Sequence, residues 1–421
     1  MSKKKILYIH HGKGLGGAPL SLLYLIKALD KTIYHPVVLF LHQSEIIDLY
    51  KKNNIDIIGP ANVYDFSHTK IWWFKWYHFP YLLRAIKDTI KTIFFIAPKI
   101  FDVIKPDLVH LNTSSLIGWG YVAHKKKIPV VWHIREPLAA GYFGLRRWII
   151  KTCVNKYASK IVPICKNDAK PWLRSQKTQV VYNAACIKKF NYNLSPDNFL
   201  KQHNLDQHMP KILYLGGLSR EKGTHVIIKS FLKLQEKLPE AVLLIAGHFN
   251  TGSWWSPKNL LPGGRYRRSV AKLINNNIKL LGTINNVPEA MAASSLVVFS
   301  ATVGHFARPI IEAGLMAKPV IASYLEPLNE LVVHNQTGFL LDPNNHELWA
   351  AKLHLLLTDK QLNKQMGHAA YKFSISRFTI ETQIEKIKKI YEATLDKTNN
   401  TFTPARAQVF EKINKSRRRE R

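Results

Sequence analysis

Glu312 opens a run of small residues, Glu-Ala-Gly-Leu-Met-Ala, with Gly304-His-Phe-Ala-Arg-Pro-Ile-Ile just before it. A carboxylate in such a setting can accept hydrogen bonds from a sugar diol, as acidic residues do on a ribose. Small residues at a helix start let backbone approach a bulky ligand, and the free amides there favour an anionic one. A second set lies upstream in Leu213-Tyr-Leu-Gly-Gly-Leu-Ser-Arg-Glu-Lys-Gly-Thr-His, where Arg220 and Lys222 occupy a turn leading from a strand into a helix. Two cations and exposed amides suit a diphosphate, whose developing charge needs stabilising when it departs. A third set, His133-Ile-Arg-Glu-Pro, ends an apolar run. His133 could bond a hydroxyl or move a proton near neutral pH. The same residues could equally form a loop cluster that only holds itself together.

The loop His11-Gly-Lys-Gly-Leu-Gly-Gly-Ala-Pro contains Gly16 and Gly17 and precedes a helix. Its glycines allow a tight turn and close approach of amides to phosphate. It lacks the Gly-Lys-Ser/Thr ending of a P-loop. The second strand runs into His42-Gln-Ser rather than an acidic residue, which argues against dinucleotide binding.

These residues need a scaffold that alternates strands and helices, and the chain supplies one. Strands are predicted at 6–10, 36–41, 55–58, 107–111, 129–133, 160–164 and 179–182, with helices at 19–29, 81–104, 116–124 and 142–157 between them. A polar stretch from about 184 to 209 reads as a linker. Strands then recur at 211–215, 241–246, 278–281, 296–300 and 320–322. Helices fall at 224–237, 265–275, 287–293, 346–358, 361–373 and 380–395, and a carboxylate-bearing helix precedes the Thr337-Gly338 turn. Glu312 sits on a helix of its own. Such alternation means βαβ units and parallel sheets, here in two α/β domains.

The chain has 421 residues, 46% of them hydrophobic, and three cysteines (Cys153, Cys165, Cys186) without metal-ligand spacing. Those cysteines read as reduced thiols of a cytoplasmic protein. The apolar run after Met-Ser-Lys-Lys-Lys is too short for a signal peptide, and no window reaches a membrane span. The net charge of +33 is concentrated early: residues 1–200 hold 30 Lys/Arg against 11 Asp/Glu, whereas 301–350 hold 2 against 5. A field of that sign draws anionic partners. No nucleic-acid motif accompanies it, so nucleic acid is not an expected partner. Trp72, Trp73, Lys75 and Trp76 mix amphipathic rings with cations in the basic half. They suit either an anionic membrane or glycolipid acceptor, or an aromatic core. Asn250-Thr-Gly-Ser-Trp-Trp through Arg265-Tyr-Arg-Arg is a second aromatic and basic patch, on an inserted loop.

With both halves read, the chain resembles the retaining GT-B-fold glycosyltransferases of group 1, or family 4, a type that includes bacterial cell-surface glycan transferases. Val180-Val-Tyr-Asn-Ala-Ala-Cys-Ile-Lys-Lys-Phe stands where the family has its Asn-Gly-Val-Asp…Phe segment. Gly216…Glu221-Lys-Gly matches the Gly-Arg-Leu…Glu-Lys-Gly loop, and Thr337-Gly-Phe-Leu matches the late Thr-Gly turn. The resemblance implies two Rossmann-like domains with parallel sheets facing across a cleft. It places an acceptor-side domain at 1–190, a linker at 191–209 and a donor domain at 210–375. A helix at 376–397 packs back on the first domain, and a disordered basic tail fills 398–421.

The implied activity moves a sugar from a nucleotide-diphosphate donor to a lipid-linked or cell-surface glycan, with retention and without metal or cofactor. The setting implied is the inner face of the cytoplasmic membrane, as a peripheral protein. The implied catalytic residues are Glu312, Lys222 and His133. Donor contacts fall to Arg220 and Lys222 at the diphosphate, and to Thr283 and Ile284 at the base. The segment Phe306, Ala307, Arg308, Pro309 and Ile310 holds phosphate and sugar, and Gly16 and Gly17 line the opposite wall. Two positions depart from the family: Gly217, where an arginine is frequent, and Gly304, where the first of two paired glutamates falls. The second departure also admits a binding subunit whose partner performs the chemistry.

Overall fold

The computed structural model describes residues 3–11, 16–65, 79–247 and 262–396. The aromatic segment Trp72, Trp73, Lys75 and Trp76, residues 250–261 of the inserted loop, and the tail 398–421 lie outside the described residues. The chain divides into two compact units. One comprises 1–182 together with 383–421; the other comprises 183–382.

The first unit is built on a six-stranded sheet: β1 (Lys4–His10), β2 (Tyr34–Phe40), β3 (Asp56–Ile58), β4 (Leu108–Leu111), β5 (Val130–Ile134) and β6 (Lys160–Pro163). The strands lie in the order β3-β2-β1-β4-β5-β6, and all pairs are parallel. Near-continuous apolar runs are what such strands need, because helices cover both faces. Alternate residues of β1 serve opposite cores. Leu7 and Ile9 pack with Phe101, Trp119 and Val154, and Ile6 and Tyr8 pack with Leu22, Tyr50 and Tyr391. Tyr391 comes from a helix at 380–396, which also places Ile387 and Ile390 in that second core.

Two expectations need correction here. Residues 179–182 form no strand. Gln179 N–H donates to the Ile161 carbonyl and Val181 N–H to that of Pro163, but Pro163 has no N–H to return, so the ladder stops. The helix expected over 81–104 is present, but a π turn at Thr92–Ile96 divides Phe79–Lys91 from Ala97–Ile104. Pro98 follows that turn. Its ring and missing N–H disfavour the normal bond to the carbonyl four residues back, and the wider turn relieves the conflict.

The second unit repeats the plan with β7 (Lys211–Tyr214), β8 (Val242–Ala246), β9 (Ile278–Gly282), β10 (Leu296–Phe299), β11 (Val320–Ser323) and β12 (Gly338–Leu341). The order β12-β11-β10-β7-β8-β9 has the same topology as the first sheet, again all parallel. β12 extends the sheet beyond the strands expected from sequence. The expected carboxylate-bearing helix before it is one 3-10 turn, Leu328–Glu330. Within the stretch expected as a linker, Asp197–Gln202 is a helix with Phe199 and Leu200 buried.

In both sheets the order reverses direction at the central pair, β1/β4 and β7/β10. Loops leaving the carboxyl ends of such a pair form a crevice suited to ligands.

Candidate functional site

The loops after β7 and β10 are neighbours because their strands pair, and hydrogen bonds hold them together. Thr302 N–H donates to the Glu221 carbonyl (2.9 Å), Thr302 Oγ1 to the Arg220 carbonyl (2.9 Å) and Ser300 Oγ to the Gly223 carbonyl (2.9 Å). Gly223 is left-handed, φ 77°, and a β-carbon there would stand 1.6 Å from the Ser300 carbonyl oxygen. Glycine is therefore required for this approach.

Thr224 pins the loop from inside. Its Oγ1 donates toward the Gly217 carbonyl (2.7 Å) and accepts from Ser219 N–H (2.9 Å). The buried Tyr214 hydroxyl donates to the Lys222 carbonyl (2.8 Å). Tyr214 and Thr224 were not singled out in the sequence; the Tyr-Leu-Gly-Gly spacing was their only signal.

Lys222 and Arg220 are both exposed on this loop. Among the described residues no carboxylate forms an ion pair with Lys222. Crowding by surrounding atoms lowers its pKa from the ordinary lysine value. An anion at this point would favour the charged form and oppose that lowering.

From the β10 side, the chain passes Gly304, His305 and Phe306 to enter the helix Arg308–Leu315, with Ala307 as its N-cap and Pro309 in the first turn. Ala307 has no side-chain cap; Pro309 carries no N–H, and Ile310 N–H donates to the Ala307 carbonyl (3.2 Å). Glu312 is 6% exposed, and its Oε1 accepts from the Arg308 guanidinium at 2.6 Å, one turn earlier on the same helix. His305 Nδ1 contacts the Val303 carbonyl at 2.9 Å. Burial lowers the His305 pKa; the Val303 carbonyl opposes this, and Lys222 adds to the lowering.

Gly304 has no room for a side chain: an ideal β-carbon would fall 1.8 Å from the Glu326 carbonyl oxygen. The small run after Glu312 has a different role from the one expected. A β-carbon on Gly314 would meet Ser374 Oγ at 2.0 Å and the Ala370 carbonyl at 3.0 Å, so the run seats this helix against the helix Lys360–Arg377. Ala313 is fully buried. Close packing of two helices, not approach to a ligand, sets these residue sizes.

Thr283 and Ile284 follow β9, with Thr283 exposed and Ile284 half-buried. Two backbone bonds tie the carboxyl ends of β7, β8 and β9 together, from Gly217 N–H to Ala246 (2.9 Å) and from Gly247 N–H to Gly282 (2.8 Å).

The remaining candidates belong to the first unit. Gly16 caps the helix Gly17–Ala28 after β1, and both glycines are exposed. His133 is fully buried near the end of β5. Its Nδ1 lies 3.1 Å from His110 Nε2 and 3.5 Å from an Arg135 nitrogen. Its Nε2 is buried without a hydrogen-bond partner among the described residues.

The network extends from there. His110 Nδ1 meets the Tyr391 hydroxyl at 2.7 Å, which meets that of Tyr8 at 3.0 Å. Arg135 Nε donates to Asn112 Oδ1 at 2.5 Å, and Asn112 Nδ2 lies 3.0 Å from His10 Nδ1. Glu136 Oε1 accepts from Thr113 Oγ1 (2.5 Å), Ser114 N–H (3.0 Å) and Ser114 Oγ (3.1 Å). Burial, with Arg135 adding to it, holds His10, His110 and His133 well below the usual imidazole range; His11 adds to the shift at His10, and His110 to that at His133. The imidazoles are therefore neutral near pH 7. His133 and Arg135 touch each other, whereas Glu136 is held by Thr113 and Ser114 and Arg135 by Asn112.

Residues 196–373 match the model of the family described as glycosyl transferases group 1. The chain is 28% identical over 197 residues to the putative glycosyltransferase YtcC of Bacillus subtilis, covering 46% of this chain and 47% of the relative. It is 25% identical over 195 residues to the capsular polysaccharide biosynthesis glycosyltransferase CapM of Staphylococcus aureus, covering 46% and 49%. The chain thus spans about half the length of these two relatives. Among solved structures, Anabaena Alr3699/HepE in complex with UDP and glucose superposes with a TM-score of 0.72 at 22% identity, covering 92% of this chain and 99% of that one. The fold is that of the GT-B glycosyltransferases. The match to the glycosyl transferases group 1 model falls within the second unit.

Proposed function

We propose that this protein transfers a sugar from a nucleotide-diphosphate donor to a glycan or lipid-linked glycan acceptor, with retention of anomeric configuration. One observation carries the reading. Lys222, without a carboxylate partner among the described residues, stands on a loop hydrogen-bonded to the loop that leads into Arg308–Leu315 and Glu312. That juxtaposition offers a cation for a diphosphate and a carboxylate for a ribose in one crevice. HepE, whose fold the chain shares, was crystallised with UDP and glucose. CapM is named for capsular polysaccharide biosynthesis.

In this reading the acceptor hydroxyl oxygen forms a bond to the anomeric carbon as the bond from that carbon to the β-phosphate oxygen breaks. The hydroxyl proton is released, and the nucleoside diphosphate leaves with the bonding electrons. Lys222 and Arg220 stabilise the charge that develops on it. Glu312 keeps Oε1 on Arg308 and offers its other oxygen to the ribose. Backbone around Phe306–Ile310 holds phosphate and sugar, and backbone at Thr283 and Ile284 holds the base. His133, neutral and with Nε2 unpaired among the described residues, can bond a hydroxyl. No step calls on a metal or an organic cofactor.

Release of nucleoside diphosphate from UDP-, GDP- or ADP-sugars, with and without glycan acceptors, tests the proposal. Calorimetric donor binding without any turnover would instead favour a binding subunit, the reading that Gly304 keeps in view.

A further inference from the structure

The helical layer over one face of the first sheet exposes apolar residues in a pattern. Along the helix that starts at Phe79, Leu83, Ile86, Ile90 and Phe94 recur at spacings of three and four and so share one side. All four are exposed, Phe94 by 67% and its neighbour Phe95 by 70%. Arg84, Lys87 and Lys91 form a second row beside the first, one position on. The nearby acids are engaged: Asp88 accepts from Tyr64 N–H and pairs with Arg84, and Asp102 pairs with Lys126.

A separate element in the same layer has the same character. Between Gly141 and Gly144, Phe143 adopts a left-handed backbone, φ 54° and ψ 25°, and its side chain is fully exposed. Bulky residues seldom accept that conformation. Leu145 and Trp148 follow, 55% and 64% exposed, with Arg147 and Lys151 beside them. The helix Ile117–Lys125 lies between the two elements and touches both. In a parallel sheet, helices run opposite to the strands. Leu83, Ile86, Phe143 and Trp148, all near the start of their helices, therefore stand toward the carboxyl edge of the sheet, the edge that carries His133 and Glu136.

Isolated exposed apolar residues are ordinary, but two aligned groups flanked by cations are not. We infer that this layer docks the first unit on a bilayer rich in anionic phospholipid. Leu83, Ile86, Ile90, Phe94, Phe143 and Trp148 enter the headgroup region, and the adjoining Lys and Arg residues meet lipid phosphates. Rings at headgroup depth beside cations are the chemistry of that interface. A second copy of this chain fits less well, because a two-fold contact would set the cationic rows against each other. No helix among the described residues is long and apolar enough to cross a membrane, so the contact is peripheral.

The test is co-sedimentation of the full chain with phosphatidylglycerol-containing vesicles and with pure phosphatidylcholine vesicles. Binding to the first should exceed binding to the second at least about ten-fold and weaken as salt is raised. The pairs Ile86→Ser with Ile90→Ser, and Phe143→Gly with Trp148→Ser, should each lower partitioning at least about ten-fold. Their melting temperatures should stay unchanged, since the side chains are exposed and glycine accepts the Phe143 backbone. Brominated lipid should quench tryptophan emission less in Trp148→Ser than in the parent. Protein that stays in the supernatant with anionic vesicles overturns the inference, as do variants that bind like the parent. Self-association that these variants abolish, with vesicle binding intact, assigns the face to a second copy instead. The assay contains no nucleotide or acceptor, so its failure leaves the proposed sugar transfer standing, and the reverse also holds.

Discussion

The carbonyl oxygen of Glu326 fills the place where a side chain on Gly304 would begin, 1.8 Å from the ideal β-carbon position. A paired acid therefore cannot be restored here by one substitution. Gly304→Ala should lower stability by about 1–3 kcal/mol, the scale of overpacking, and Gly304→Glu should not raise activity with any donor. Thermal melting and a donor panel check both; a Gly304→Glu protein of normal stability and higher turnover contradicts the geometry.

Arg308 and Glu312 are nearly buried together, with side chains 12% and 8% exposed. Glu312→Ala should lower stability by about 1–3 kcal/mol, because it removes a charged hydrogen-bond partner from the nearly buried Arg308. Combining it with Arg308→Met should recover much of that loss while donor binding stays weak. Urea titration separates the two effects, and a double variant that regains donor affinity would falsify the ribose role of Glu312.

Lys222→Ala should raise the barrier to transfer by more than about 2 kcal/mol, the scale of one contact to developing charge. The fold should be unaffected, since Tyr214 and Thr224 hold the loop through the Lys222 and Gly217 carbonyls. Steady-state kinetics decide: an unchanged kcat/KM removes Lys222 from the mechanism.

The three buried histidines predict an acid-side loss of stability. Their folded pKa values lie well below the ordinary 6.5. Below that value the unfolded chain takes up protons that the folded chain does not. Stability is thus full above about pH 6.5 and falls as the pH drops toward the folded values, by up to about 1.4 kcal/mol per histidine per pH unit. Denaturant titration from pH 7.5 to 5 should show the fall, and His110→Asn should reduce its slope. A flat profile contradicts neutral burial.

The two α/β units could be read from the chain because doubly covered parallel strands require apolar runs that differ visibly from amphipathic helices. The loops bearing Lys222 and Glu312 could be placed together because each follows a strand of the same predicted sheet. What escaped the reading depended on distant or atomic detail. Tyr391 lies 281 residues from His110, yet completes its hydrogen bonding. Whether residues 179–182 form a strand turns on a missing N–H in Pro163, a different segment. Gly314 has the same composition signal whether a ligand or Ser374 fills the space beside it, and only the packed helices distinguish the two.

The central claim is tested most directly by measuring nucleoside diphosphate release from UDP-, GDP- and ADP-sugars by the parent protein and by Lys222→Ala, each confirmed folded. Sugar transfer predicts turnover with at least one donor in the parent and a loss of more than about thirty-fold in the variant, the rate equivalent of about 2 kcal/mol. Folded parent protein that turns over none of these donors contradicts it.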